Sequence, residues 1–247
     1  MDLGIGGRRA AVAAASQGLG YEVAAALAGE GCEVAICSRD RDRVHAAANS
    51  LGRRVVPLVA DVATPAGAAG FVGAARSALG GVDILVTNAG GPPPGAAADV
   101  EVEQYAKAFE LNCLSVIAMC SEAVGEMRAR GWGRVVAITS SAVRQPNPAL
   151  ILSNTARAGV TGYLKTLARE IAGDGVTVNS LQPGLHDTAR LRSLGVDTAV
   201  AAASIPAGRL GDPVDFGAVA AFLCSDAAGF VTGVALHVDG GAYPGLL

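Results

Sequence analysis

Seven short runs of β-branched, Leu and Ala residues punctuate this chain, each separated from the next by a longer segment whose apolar residues recur at helical spacing. The runs lie at 9–14, 33–37, 54–58, 83–87, 134–139, 177–181 and 235–238. The clearest helical segments lie at 21–27, 41–51, 65–79, 102–127 and 156–171. Strand–helix alternation of this length forces crossover connections, so neighbouring strands run parallel and helices cover both faces of the sheet. The spacing therefore predicts an α/β fold: a doubly wound, seven-stranded, mostly parallel sheet with at least six helices. The third helix carries its own start signal, Thr64 as N-cap and Pro65 at the first helical position.

These elements use up the 247 residues, which leaves a single domain, 1–247, with no linker or repeat. One segment breaks the alternation. Residues 185–207 follow the sixth strand and contain His186, Asp187, Gly195 and Pro206. An open α/β sheet binds its ligand beyond the carboxyl ends of its strands, so this insertion reads as a substrate lid.

Composition narrows the function classes. Apolar residues make up 51% of the chain but aromatics only 4%, a core suited to close helix-on-sheet packing. Mean hydropathy is positive at +0.40. No uninterrupted apolar run reaches the roughly 18 residues of a membrane-spanning helix, so no membrane association is expected. Met1-Asp2-Leu3-Gly4 shows no basic stretch followed by an apolar one, hence no export signal. Cys32, Cys37, Cys113, Cys120 and Cys224 are odd in number and lack metal-ligand spacing; they read as reduced, buried thiols of a cytoplasmic protein. A net charge of −3 leaves no basic face for nucleic acid, so the expected partner is a small molecule.

The first strand runs into Ala13-Ala14-Ala15-Ser16-Gln17-Gly18-Leu19-Gly20 and then a helix. Glycines there let the backbone approach a pyrophosphate, and the helix N-terminus offers free N–H groups, the arrangement of a Rossmann-type dinucleotide site. Tight strand–helix packing alone accounts for the same glycines. The second strand ends Ser38-Arg39-Asp40. An acidic tip would bind the ribose 2′-hydroxyl of NAD, whereas Ser38 and Arg39 suit the 2′-phosphate of NADP. The competing reading makes Arg39 a solvated residue and Asp40 a helix N-cap.

These residues, with others further on, resemble the short-chain dehydrogenase/reductase family. The loop is similar to its Thr-Gly-x-x-x-Gly-x-Gly, with Ala13 and Ala14 in place of Thr and Gly; Ala14 adds a Cβ where the turn is tight and a positive φ would strain it. Asp61-Val62 resembles the family's adenine-contacting pair. Thr87-Asn88-Ala89-Gly90 resembles its Asn-Asn-Ala-Gly segment, and Asn112 stands at its active-site Asn. Pro183-Gly184 with Thr188 resembles the motif over the nicotinamide; Gly208 to Pro213, Thr232-Gly233 and Val238 to Gly241 match its closing segments. The resemblance covers nearly the whole chain. It implies hydride transfer with a nicotinamide cofactor, NADP before NAD, and a homodimer or homotetramer.

The family's proton donor is a Tyr, followed four residues later by a Lys. Ser140 matches its catalytic Ser, and the usual spacing of thirteen from there reaches Ser153. The helix from Ala158 to Lys165 fixes the same register from the other side, so Ser153 and Arg157 stand where Tyr and Lys are usual. No slip restores the pair: Tyr21, Tyr105, Tyr163 and Tyr243 lack a Lys four residues on, and Tyr163 and Lys165 are two apart, on different helix faces. A phenol has a pKa of about 10 and an alkyl hydroxyl is far weaker as an acid, so Ser153 donates a hydrogen bond but does not replace a phenolate. Arg157 keeps the charge without shuttling a proton. Leu152-Ser153-Asn154-Thr155-Ala156-Arg157-Ala158-Gly159 is similar to a subset of the family labelled 3-oxoacyl-carrier-protein-reductase-like.

His186 follows the Pro-Gly turn, and an imidazole pKa of roughly 6.5 suits proton transfer. It is read here as a candidate proton donor, with a plain loop histidine as the alternative. Three functions follow from the altered pair: an NADP-dependent oxidoreductase acting on a carbonyl or alcohol; a redox-neutral dehydratase, isomerase or cyclase on the same scaffold; or an inactive cofactor-binding subunit.

Overall fold

The structure, a computed structural model, describes residues 2–193 and 195–246. Seven strands form one sheet: β1 (Arg9–Val12), β2 (Glu33–Ser38), β3 (Val55–Val59), β4 (Ile84–Thr87), β5 (Gly133–Ile138), β6 (Val176–Pro183) and β7 (Ala235–Val238). Their order is β3-β2-β1-β4-β5-β6-β7, and every pairing is parallel. The chain reverses direction across the sheet between β1 and β4, which opens a crevice at the carboxyl ends of those two strands.

The helices are α1 (Gly18–Gly29), α2 (Arg41–Leu51), α3 (Pro65–Leu79), α4 (Val102–Phe109), α5 (Ser115–Arg130), α6 (Ile151–Ile171), α7 (Ala189–Ser193), α8 (Thr198–Ala203) and α9 (Pro213–Leu223). Strand residues alternate between two cores. Val12, Ile36, Val86 and Ile138 pack beneath Val23 and Leu27 of α1, Val44 of α2 and Phe216 of α9. Ala11, Cys37, Leu85 and Ala137 pack beneath Phe71 of α3, Met119 of α5 and Val160 and Leu164 of α6. Small residues set the layer spacing: a Cβ on Gly217 of α9 would run into the Glu22 carbonyl of α1. Thr64 and Pro65 begin α3 as expected, with Thr64 Oγ1 accepting from Gly67 N at 3.2 Å.

Three expectations are corrected. The first strand ends at Val12 rather than residue 14, because Ala14 turns to a φ of +47°. The helix expected over 102–127 is two helices joined by a wide π turn, Glu110–Leu114, which rolls Asn112 into the interior. The helix expected from 156 begins at Ile151, so Ser153 lies in its first turn. Residues 102–130 include a window of mean hydropathy 1.3, apolar enough to cross a membrane; half of that window is buried inside the fold.

Candidate active site

The loops after β1, β4, β5 and β6 emerge at one edge of the sheet because these strands are neighbours and parallel. The β1–α1 loop is held from both sides: Ala13 N donates to Val86 O and Ala15 N to Cys37 O, each at 3.0 Å. Between them, Ala14 takes a left-handed conformation, the only described residue other than glycine that does so. Its carbonyl accepts from Asn88 Nδ2 at 3.2 Å. A Cβ on Gly20 would lie 2.7 Å from Asn88 Nδ2 and 2.9 Å from Ala14 O, so that position requires glycine. Gln17 is the N-cap of α1 and gives it no side-chain hydrogen bond, and the first turn carries no acid. Nothing lies within 4 Å of where a Gly18 Cβ would be. Ser16 to Gly20 therefore present unpaired N–H groups and open space, which fits a cofactor pyrophosphate.

At the β2 tip, Asp40 caps α2. It accepts from Arg43 N at 3.0 Å and pairs with Arg43 Nε at 2.8 Å, and these contacts hold its carboxyl below the usual range. Ser38 Oγ accepts from Asp40 N at 3.2 Å. The Asp40 carboxylate is thus committed to its helix, while the Arg39 side chain stays exposed, 3.9 Å from Asp61. Val62, beside Asp61, is buried in the core beneath α3.

At the β4 tip, Gly90 O accepts from Asn112 Nδ2 at 3.0 Å. Asn112 Oδ1 is buried with no partner among the described residues, an acceptor left to a solvent or ligand donor. Ala89 packs on the α3–α6 core.

Ser140 and Arg157 meet the end of β5. Ser140 Oγ accepts from Ala142 N at 3.1 Å, which pins the turn leaving the strand. Ser153 and Arg157 are one turn apart on the buried face of α6. Arg157 Nη1 donates to Ile138 O and Thr139 O, both at 3.1 Å, so the guanidinium is bolted to the strand end that carries Ser140. Thr155 and Thr161 return their hydroxyls to carbonyls one turn back, whereas the Ser153 hydroxyl has no such bond among the described residues. Burial, and secondarily the charge of Arg190, pulls the Arg157 pKa down to about 10. It remains a cation at neutral pH, and no described carboxylate pairs with it.

Two contributors escaped the sequence reading. Asn154 donates from Nδ2 to Asn147 O at 2.8 Å and accepts from Asn147 N at 3.4 Å, fastening the 141–150 loop to α6. Its only sequence signal is its place between Ser153 and Arg157. Arg190 extends from α7 to the β4 tip, where a Cβ on Gly91 would lie 2.6 Å from its Nη2. Nothing in its own spacing announces that contact.

The 185–207 insertion is tied down at both ends: Gly211 N donates to Leu185 O at 2.9 Å and Ala207 N to Gly240 O at 3.0 Å. Gly184 packs where a Cβ would lie 2.7 Å from Asp239 Cβ, and Gly184 N donates to Val238 O at 3.0 Å, which pins Pro183-Gly184 to β7. Thr188 Oγ1 accepts from Leu191 N at 3.3 Å and starts α7. No described hydrogen bond joins His186 to the Ser140–Arg157 group. Its ring is buried edge-on against Phe216 of α9, with centroids 5.2 Å apart, on the sheet face opposite α6. Nδ1 lies 3.2 Å from Gly184 O, and burial pushes its pKa below the ordinary value. The ring is thus packed into the fold beside α9, a placement that favours the plain loop histidine over the proton donor.

The profile of the family described as Enoyl-(Acyl carrier protein) reductase matches residues 13–243. The chain is 33% identical to 3-oxoacyl-[acyl-carrier-protein] reductase FabG of Vibrio cholerae, across 96% of this chain and 98% of that one. Among solved structures, L-sorbose reductase of Gluconobacter frateurii, complexed with NADPH and L-sorbose, superposes with a TM-score of 0.93 at 33% identity over the full length of both chains. YwfH, an NADPH-dependent reductase involved in bacilysin biosynthesis, superposes with a TM-score of 0.93 at 26% identity over 97% of this chain and all of that one. With the parallel sheet, the glycine-bearing α1 loop and these full-length matches in hand, the chain belongs to the short-chain dehydrogenase/reductase family.

Proposed function

We propose that this protein is an NADP(H)-dependent oxidoreductase that reduces a small-molecule carbonyl, or oxidises the alcohol, with Ser140, Ser153 and Arg157 as its polarising group. The observation that carries this reading is the anchoring of Arg157 Nη1 to Ile138 O and Thr139 O, which fixes a buried cation at the strand end that leads into Ser140 and one helical turn from Ser153. Ser16 to Gly20 and the α1 N-terminus would hold the pyrophosphate. Ser38 and Arg39 would hold the 2′-phosphate, with Asp61 and Val62 at the adenine. Asn88, Ala89, Gly90, Pro183, Gly184, Thr188 and Arg157 would frame the nicotinamide half. When bound, the reduced cofactor supplies the hydride.

The chain's own residues handle the oxygen. Ser140 and Ser153 donate hydrogen bonds to a carbonyl oxygen, and the free donors of Arg157 stabilise the negative charge that grows there. Neither serine nor arginine gives up a proton readily near neutral pH, so the proton comes from water. Asn112 Oδ1, an acceptor without a partner among the described residues, would orient that water. A homodimer through the α5–α6 face, or a homotetramer, accompanies this reading. The test is NADPH consumption, followed at 340 nm, with a panel of ketones and aldehydes. Turnover that Arg157→Ala lowers by about 10²- to 10³-fold supports the reading; NADPH binding without turnover of any carbonyl overturns it.

The missing phenol favours one second reading, a redox-neutral dehydratase, isomerase or cyclase in which the same three residues stabilise an enolate. Product formed with no net change in NADPH would support it, and a stoichiometric demand for NADPH would remove it.

A further inference from the structure

The Ser140–Arg157 group stands at the end of β5, and a second cation, from the lid, stands at the end of β4, its neighbour in the sheet. A Cβ on Gly91 would lie 2.6 Å from Arg190 Nη2, and the Arg190 charge is the lesser of two causes that lower the Arg157 pKa. Arg157 is buried and Arg190 is exposed at the rim of the same crevice, and two cations on one crevice attract an anion between them. The lid does not supply one. Its two carboxylates are Asp187 and Asp197. Asp187 accepts from Arg192 Nε at 3.0 Å and Nη2 at 2.9 Å. Asp197 caps α8, accepting from Ala199 N at 2.9 Å and Val200 N at 3.2 Å. Arg157 spends Nη1 on two carbonyls and has no described carboxylate partner; its remaining donors are available.

The cofactor's anionic groups have other partners in the reading above, at the α1 N-terminus and the β2 tip, and a reduced nicotinamide ring is uncharged. We propose that the substrate itself is anionic: a small carbonyl compound bearing a carboxylate or phosphate, whose oxyanion Arg190 grips from the lid while Ser140, Ser153 and Arg157 hold the carbonyl. Arg190 is then a specificity-determining residue, and its planar fork pairs two oxyanion oxygens at once. This inference rests on the proposed reductase activity for its chemistry but makes a separate claim about charge.

The experiment uses matched pairs: 3-oxobutanoate against methyl 3-oxobutanoate, and dihydroxyacetone phosphate against dihydroxyacetone. For one pair or the other, kcat/KM of the anion exceeds that of its neutral partner by about 10- to 100-fold, the scale of hydrogen bonds to a charged group. Which pair responds says whether the anion is a carboxylate or a phosphate. Arg190→Ala removes that preference chiefly through KM, Arg190→Lys restores part of it, and the NADPH Kd moves by less than about twofold, well below the loss of a charge-assisted pair. Equal turnover of anion and neutral partner by the wild type overturns the proposal. So does a rise in NADPH Kd in Arg190→Ala that matches the loss of anion preference, since Arg190 would then serve the cofactor. If no compound consumes NADPH, calorimetry of 3-oxobutanoate and dihydroxyacetone phosphate with the NADPH complex separates the two claims. Binding lost in Arg190→Ala keeps the anion site while the reductase reading falls; no binding of either overturns the anion site as well.

Discussion

Asn88 Nδ2 donates a 3.2 Å hydrogen bond to the carbonyl of Ala14, so the tip of β4 holds in place the one described non-glycine residue with a left-handed backbone. That conformation costs an L-residue about 1–2 kcal/mol, part of which a glycine recovers despite its larger chain entropy.

Ala14→Gly should therefore stabilise the fold by about 0.5–1 kcal/mol, a Tm rise of about 1–4 °C for a domain this size. Calorimetric scans of the two proteins check this, and fluorescence titration with NADPH should show equal or tighter binding. A lower Tm for the variant would mean that Ala14 is not strained.

Arg157→Ala removes the donor that Ile138 O and Thr139 O share. Loss of a preorganised charge donor at a developing oxyanion should lower kcat/KM by about 10²- to 10³-fold. Stability should change less, because the substitution also removes a buried cation without a carboxylate partner. Arg157→Lys keeps the charge but not the fork, and should recover only part of the rate. Steady-state kinetics with circular-dichroism melts separates the two effects; a fully active Arg157→Ala would show that the guanidinium is structural.

Asn154→Ala cuts both amide contacts to Asn147 and frees the loop that leads from Ser140 into α6. Each buried hydrogen bond contributes about 0.5–1.5 kcal/mol, so the melt should shift measurably. The rate should fall while NADPH affinity holds, because the loop positions Ser140 and Ser153 rather than the phosphate loop. An unchanged kcat would exclude that positioning role.

His186 is buried beside Phe216 with its pKa lowered by desolvation, and His237, stacked on Tyr243, is lowered for the same first reason. The folded state binds fewer protons than the unfolded one between each lowered value and roughly 6.5. Stability is thus complete above roughly pH 6.5 and falls as pH drops through that window. His186→Gln should shallow this slope, with the His237 share remaining, and should leave the pH dependence of kcat unchanged. Urea midpoints between pH 5 and 7.5 measure the slope; a kcat profile altered by His186→Gln would return the residue to the chemistry.

Arg157 is a cation up to about pH 10. Ser153 has no ionisation in the neutral range, so kcat/KM should stay flat through neutrality and decline only as pH rises towards that value. A rate profile from pH 6 to 10.5 shows this directly, and a steep ionisation near neutrality would point to a titrating donor outside the Ser140–Arg157 group.

Periodicity and caps are local properties, and much of the architecture follows from them. The seven strands, the Thr64-Pro65 start of α3, and the one-turn separation of Ser153 from Arg157 all come from spacing along the chain. The parallel arrangement follows too, since strand–helix–strand units of this length allow little else. Other features depend on which segments meet after the chain crosses the sheet. Ala14 turns left-handed because β4 and β2 hold Ala13 and Ala15 from opposite sides. The wide turn at Glu110–Leu114 lets Asn112 reach Gly90. His186 stands next to a Pro-Gly turn in sequence, yet the bridge to Gly211 draws its ring under Phe216 and away from α6. Arg190 meets Gly91 from the far side of the crevice. Spacing tells which side of its own element a residue occupies; the distance between two elements comes from sheet order and packing, and the chemistry of this crevice depends on that distance.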